Sequence, residues 1–233
     1  MGAKIFIGVI LAIVVAFTIQ RVWSNYHEKE RVGRGRVAVA LEDAKATGKR
    51  DVQLPASIPY YASVTSLDDA LSHYTTVLAA PIRSESRVSS DSRNIITWYK
   101  LHIVEVLSEP KEVLKCSSCF SLTDVPTELL PINEDEIVVA KNGGSIITDD
   151  IKITSNDFTY PELKLSQQYL LFLSLDRHTR VASAELGPKG VLVVDSDGGI
   201  EGINAQNSQL AKDLKSRYGN VDKITEQLKF RRF

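Results

Sequence analysis

Residues 94–107 read NIITWYKLHIVEVL and form the longest stretch of strand-type sequence in the chain. β-branched and aromatic side chains dominate it, and these residue types favour the pleated geometry of a strand. Its alternation of apolar and polar positions is imperfect, which predicts a bulge or a strong bend within the strand. We therefore expect the folded part of the chain to be built around β-strands.

Shorter strands are predicted on both sides of this segment. Residues 75–82 (TTVLAAPI) form one that ends near Pro81 and leads into a serine-rich polar loop at 84–93. Residues 167–175 (QQYLLFLSL) are the most apolar stretch and the predicted central strand. The other predicted strands are 136–140, 145–148, 151–154, 180–186 and 191–194, with a return strand through Ile200.

Glycine-containing turns connect several of these strands. Asn142-Gly143-Gly144 and Asp197-Gly198-Gly199 each predict a hairpin turn, because Asn and Gly accept positive φ. About eight short strands without βαβ alternation argue against a Rossmann fold and favour a small antiparallel barrel, OB-like, or a sandwich. The predicted fold class is therefore mainly β with flanking helices (α+β), together with an N-terminal transmembrane helix.

Helices are predicted at the edges of the strand-rich region. Residues 66–74 begin at Ser66, whose side-chain oxygen suits a helix N-cap. Residues 208–218 form a helix closed by Gly219, and residues 221–229 form another.

The composition limits the class of protein. The chain has 233 residues, 43% of them hydrophobic and 24% charged, which excludes a wholly disordered chain, a collagen and a multi-pass membrane protein. The net charge of -1 argues against a nucleic-acid partner, since nucleic-acid binders carry a basic excess.

An apolar run at residues 5–19 (IFIGVILAIVVAFTI) contains no charged residue. Extended to Trp23, it predicts an uncleaved anchor in residues 1–23 that partners the membrane through residues 5–23. A cleaved signal peptide and a buried core helix are the alternatives. The predicted membrane-contacting side chains are Ile5, Phe6, Ile7, Val9, Ile10, Leu11, Ile13, Val14, Val15, Phe17, Ile19 and Trp23.

The sequence carries conflicting signals about the side of the membrane. Basic residues after the run, among them Arg34 and Arg36, favour a cytoplasmic domain. The short n-region led by Lys4 resembles an export signal. We expect a single-pass membrane protein whose main domain is exported, outside the cytoplasm and periplasmic in a bacterium. The predicted divisions are a partly helical juxtamembrane stalk at 24–58, a β-rich domain at 59–204 and C-terminal helices at 205–233.

Two cysteines, Cys116 and Cys119, form a CxxC pair within a segment predicted as a loop. They are interpreted as a disulfide clip or inert thiols, with half of a zinc site and a redox pair as alternatives. No cofactor and no metal are expected, because the four histidines (27, 73, 102 and 178) are scattered and no ligand spacing or GxSxG motif is present. The acidic stretches 134–136, 149–150 and 195–197 fit turns better than a calcium loop.

Four motifs occur in a fixed order along residues 66–194. They are IITWYK (95–100), IVVAKNGG (137–144), PELKLSQQYLLFL (161–173) and GPKGV (187–191). In this order they resemble an exported or membrane-anchored domain of bacteria that has a GG turn before a YLLFL strand. That domain is distantly similar to the OB-type barrel of netrin and metalloproteinase-inhibitor domains. The inhibitors use an N-terminal cysteine that this chain lacks, so the resemblance implies the fold and no inhibitory residue.

We expect a membrane-anchored β-rich domain that binds a protein or cell-envelope partner and is not itself catalytic. One alternative is an enzyme, either a hydrolase or a thiol-redox protein using Cys116 and Cys119. Another alternative is an accessory subunit of a membrane complex.

Overall fold

A computed structural model describes residues 35–55, 61–110, 120–157, 160–203 and 209–229. Strands dominate these ranges, two helices flank the first short strand near the start, and two more follow the last strand. In chain order the elements are α1 (Arg36–Thr47), β1 (Asp51–Leu54), α2 (Leu67–His73), β2 (Thr75–Val88), β3 (Ile95–Ser108), β4 (Glu136–Asn142), β5 (Gly144–Thr148), β6 (Ile151–Ser155), β7 (Tyr169–Leu175), β8 (Val181–Ser183), β9 (Val191–Val194), β10 (Ile200–Gly202), α3 (Gln209–Tyr218) and α4 (Val221–Lys229), with short 3-10 turns at Leu122–Asp124, Thr127–Leu129 and Gly187–Gly190.

Five strands close into a barrel in the order β2-β3-β4-β8-β7, and β7 returns to β2. All neighbours are antiparallel except β4 and β8, which are parallel. The strands β9 and β10 extend the sheet outward from β7. The predicted mainly β fold with a barrel is confirmed, and the barrel is not purely antiparallel.

The interior of the barrel is filled by side chains from all five strands. Every residue of β7 is buried, as expected for a central strand, and β7 pairs with three neighbours. The interior cluster includes Val77, Ala79, Tyr99, Leu101, Ile137, Val139, Leu171, Leu173 and Ala182.

The pairing of β2 with β3 contains the predicted irregularities. Its register shifts at three places, which leaves Val104 and Leu107 of β3 and Ile82 of β2 as extra residues. Two of these bulge residues, Ile82 and Val104, are about half exposed because a bulge turns its extra residue out of the ladder. The predicted polar loop at 84–93 begins too early, since β2 continues to Val88 and pairs with the start of β3.

The two adjacent glycines of the predicted first hairpin instead form a corner between two sheets. After Gly143 (φ +90°) and Gly144 (φ +141°), β5 pairs with β6 and not with β4. A side chain at Gly144 would place its Cβ 2.1 Å from Thr97 Oγ1, so only glycine fits there. The second predicted hairpin is confirmed, because β9 and β10 pair antiparallel around Gly198.

Three further layers pack on the outside of the barrel. The helices α2, α3 and α4 cover β7, β9 and β10 through Leu67, Leu214 and Ile224. Residues 120–132 cover β3 and β4. The helix α1 and a small sheet in the order β1-β6-β5 form the third layer, with Ile95 of β3 in their shared core. Both predicted caps are present, since Ser66 Oγ accepts from Asp69 N–H at 3.1 Å and Gly219 ends α3 at φ +86°.

Part of the predicted stalk packs against this body. Its predicted helical stretch is α1, and β1 pairs in parallel with β6. Within the five described ranges no helix is long and apolar enough to cross a membrane. The predicted anchor at residues 5–23 lies outside those ranges.

Candidate functional site

A groove runs between α1 and β1. The helix ends at Gly48, whose left-handed conformation (φ +68°) turns the chain back so that β1 runs beside it. At the far end of the groove, Arg36 Nη2 donates a hydrogen bond to Pro55 O at 2.6 Å. The two walls of the groove are therefore tied together at both ends.

The groove has a volume of about 680 Å³ and a mainly apolar surface. Small side chains on α1 leave the space open. Below it, Ala44 and Leu54 join the buried cluster that contains Ile151 and Ile153. The apolar side chains along the groove are Val39, Ala40, Ala44, Ala46, Val52, Leu54 and Pro55.

One wall of the groove is the free edge of β1. Lys152 N–H donates to Arg50 O at 2.8 Å, so the backbone of Arg50 faces β6. Adjacent residues of a strand present their N–H and C=O groups to opposite edges, so Asp51 and Gln53 face away from β6. Among the residues that the structure describes, β1 pairs only with β6, and the outward backbone groups of Asp51 and Gln53 have no hydrogen-bond partner.

Charged side chains mark the ends of the groove. Arg36 lies at one end and Lys49 at the other, and both line it. Asp43 is the acidic residue in the helical wall between them. The ends of the groove are therefore basic, whereas the lining between them is mainly apolar, with Asp43, Thr47 and Gln53 as its polar residues.

A second polar group, the Lys141 cluster, lies where β4 leaves the barrel and consists of Lys141, Asp157, Tyr61 and Tyr160. Lys141 is 5% exposed, and its Nζ donates to Asn142 O at 3.1 Å and lies 5.3 Å from the centre of the Tyr160 ring. The Tyr61 hydroxyl donates to the Asp157 carboxylate, and the rings of Tyr61 and Tyr160 meet edge to face.

Burial controls the ionisation of this cluster. It lowers the pKa of Lys141, and the negative charges of Asp157 and Glu162 oppose that shift only in part. Burial also raises the pKa of Tyr160 and raises the pKa of the neighbouring Tyr99 to about 12. A lysine with a lowered pKa is chemically suited to act as a base or nucleophile. At 5% exposure, however, its amine is closed to a substrate in this conformation.

Tyr61 closes the cluster from outside the barrel strands. Its ring lies against Gly187, where a Cβ would meet the ring at 2.4 Å. The next residue, Ala62, donates its N–H to Glu185 O at 2.8 Å. We interpret the Lys141 cluster as a structural group of polar contacts that attaches the segment before α2 to the barrel.

Each of the three histidines in the described ranges contacts a different aspartate. His73 Nδ1 lies 2.9 Å from Asp69 Oδ1, and His102 Nδ1 lies 3.1 Å from Asp135 Oδ2. His178 donates its backbone N–H to Asp176 Oδ1. Within those ranges no group of three or more His, Cys, Asp or Glu side chains is arranged so that it could hold a metal ion.

The acidic stretches take structural positions in turns. Asp195 Oδ1 accepts from the N–H groups of Asp197 and Gly199, which closes the β9–β10 turn. Asp149 forms an ion pair with Lys45 of α1. Cys116 and Cys119 lie outside the described residues, as do the predicted membrane-contacting side chains and His27.

The sequence contains only weak signals for the α1/β1 groove and for the Lys141 cluster. β1 is four residues long, and its alternation of Val52 and Leu54 with polar residues is too short to distinguish from a loop. Lys141 follows a run of apolar strand residues, but nothing local shows that the barrel will bury it. Comparison with family models, curated proteins and solved structures found no match.

Proposed function

We propose that this protein is a membrane-anchored, exported binding module that holds a protein partner in the groove between α1 and β1. The observation that carries the proposal is the combination of an apolar groove with a strand edge that no described residue pairs with. Apolar surface supplies a general driving force for association, and a strand edge supplies directed hydrogen bonds.

We further propose that the barrel is of the OB type. The meander β2-β3-β4, closed by β7 and β8 with β4 parallel to β8, supports this assignment and the similarity to netrin-type barrels. Oligonucleotides and oligosaccharides bind OB barrels on the face of the second and third strands. In this chain that face belongs to β3 and β4.

Residues 120–132 cover that face. Phe120 packs edge to face on Trp98 with 4.8 Å between ring centres, and Lys100 Nζ donates to Pro131 O at 2.7 Å. This cover, together with the net charge of -1, favours the groove over the usual OB ligand face and a protein over a nucleic acid.

The predicted anchor gives the groove a location. Residues 5–23 precede α1 in the sequence by a short basic connector, so a membrane anchor would hold the groove near the lipid surface. The accessory-subunit alternative is a special case of this proposal in which the partner is a permanent neighbour in the membrane. The thiol-enzyme alternative depends on Cys116 and Cys119 and stays a prediction.

The binding proposal is tested by extracting the full chain from membranes in mild detergent and measuring partner retention. Ala46 lines the groove, whereas Ala38 lies on the same helix outside it. We expect the wild-type chain to retain a partner in stoichiometric amount. Ala46→Glu should reduce the amount of bound partner at least tenfold, because the carboxylate enters apolar space, whereas Ala38→Glu should retain the partner. Equal retention by both variants would contradict the proposal.

The anchor and export are tested separately by N-terminal sequencing of the mature protein and protease accessibility in spheroplasts. We expect an uncleaved N-terminus and a domain that added protease digests. A new N-terminus near residue 25 would refute the anchor, and a protected domain would refute export.

A further inference from the structure

We infer that the segment bound in the groove is an extended peptide that adds to β1 as a new edge strand of the small sheet. This inference rests on the proposed function and specifies the partner's conformation, its side-chain pattern and its charge. The occupant is a stretch of a protein partner, and the sheet β1-β6-β5 would gain a strand beside β1.

Backbone hydrogen bonding supports an extended occupant. The N–H and C=O groups of Asp51 and Gln53 lie on the edge of β1 that faces away from β6, and no residue in the described ranges pairs with them. Gln53 is also one of the residues that line the groove. A bound helix satisfies its backbone groups internally and would leave these groups unpaired. An extended chain pairs with them directly.

The shape of the groove supports an alternating side-chain pattern. One face of an added strand would lie over α1, where Ala40 and Ala44 leave room for side chains. Successive residues of a strand point to opposite faces, so every second residue of the peptide would enter this apolar space. Because β1 has four residues, the paired stretch is of similar length.

The charges at the two ends favour a peptide with acidic flanks. Arg36 and Lys49 stand at opposite ends of the groove. A carboxylate at each end of the peptide would lie near one of these cations, and the apolar residues would lie between them.

The test uses the full chain in detergent and a library of acetylated, amidated peptides of the form Asp-Xaa-Thr-Xaa-Thr-Xaa-Asp, with Xaa as Val, Ile, Leu, Phe or Ala. Fluorescence anisotropy identifies the tightest member. That peptide is then resynthesised in two N-methylated forms, one methylated at an Xaa residue and one at the adjacent Thr. Because N–H groups alternate between the two edges of a strand, we expect one form to lose at least tenfold in affinity and the other to change less than threefold.

The same assay tests the charge preference of the groove and the place where the peptide binds. Replacing both Asp residues of the peptide by Lys should weaken binding severalfold, and Ala46→Glu should abolish it while Ala38→Glu does not. Absence of binding by the whole library would overturn the inference.

Binding that tolerates both N-methyl groups equally would also overturn strand addition, but it would leave the proposed function in place. If Ala46→Glu and Ala38→Glu retained the natural partner equally well, the proposed function itself would be contradicted. The two failures are therefore distinguishable.

Discussion

Asp149 and Asp150 form the turn between β5 and β6, and both have positive φ, +50° and +59°. This is the geometry of a two-residue hairpin turn that favours Asn-Gly, because an L side chain is strained in the left-handed region. The Asp149 carboxylate also forms an ion pair with Lys45, whereas the Asp150 side chain makes no hydrogen bond or ion pair with the part of the chain that the structure describes.

We predict that Asp150→Gly stabilises the protein by about 0.5–1 kcal/mol, since relief of the strain exceeds the extra entropy of glycine in the unfolded chain. Urea unfolding of the full chain in detergent measures the change. Asp150→Ala keeps the Cβ and serves as the control, and it should give no gain. Equal stabilisation by Ala and Gly would contradict the strain explanation.

The burial of Lys141 makes the stability of the protein depend on pH. Its folded pKa lies below the ordinary value of 10.5, so between the two values the unfolded chain binds more protons. Stability should therefore rise with pH in this window, by at most about 1.4 kcal/mol per pH unit. Above about pH 10 the sign reverses, because Tyr99 keeps its proton in the folded state up to about 12.

We predict that Lys141→Met removes the rise in stability below about pH 10 and leaves the fall above it, as measured by urea midpoints across the alkaline range. Lys152→Met on the exposed face of β6 is the matched control and should keep the wild-type profile. A rise that persists in Lys141→Met would show that another group causes it.

At the scale of elements, the C-terminal helices hold one outer face of the barrel. Leu214 of α3 is 1% exposed and packs in the same cluster as Phe172 of β7. We predict that Leu214→Ala costs about 2–4 kcal/mol of unfolding free energy, since it leaves a cavity between helix and sheet. Lys212→Ala on the exposed side of α3 should stay within about 0.5 kcal/mol. Similar losses in both variants would mean that α3 does not pack as described.

Sequence patterns predict elements well where local chemistry determines them. The irregular register of β3, the caps at Ser66 and Gly219, and the β9–β10 turn all follow from residues close together in the sequence. Local sequence does not predict the continuation of β2 to Val88, because its polar residues gain strand geometry only from pairing with β3. The predicted hairpin at Gly143 and Gly144 is wrong for a related reason. Gly-rich turns do not specify which strand the chain pairs with next.

For the whole molecule, the sequence predicts a barrel but not the groove. The groove arises only when α1 and β1, predicted as part of a stalk, pack on β6 and Ile95, and this contact spans a large distance along the chain. Length and composition carry no information about it. The site that supports the proposed function is thus a product of tertiary packing, whereas the membrane anchor is a prediction from local sequence.

The central claim, that a partner occupies the α1/β1 groove of an anchored domain, is tested most directly by photo-crosslinking in intact cells. A photoreactive residue replaces either Val39, which lines the groove, or Ile147, which is 76% exposed on the far edge strand of the same sheet. We predict one discrete adduct from position 39 and none from position 147, although the latter is the more accessible. Equal labelling from both positions, or adducts only from position 147, would contradict the account.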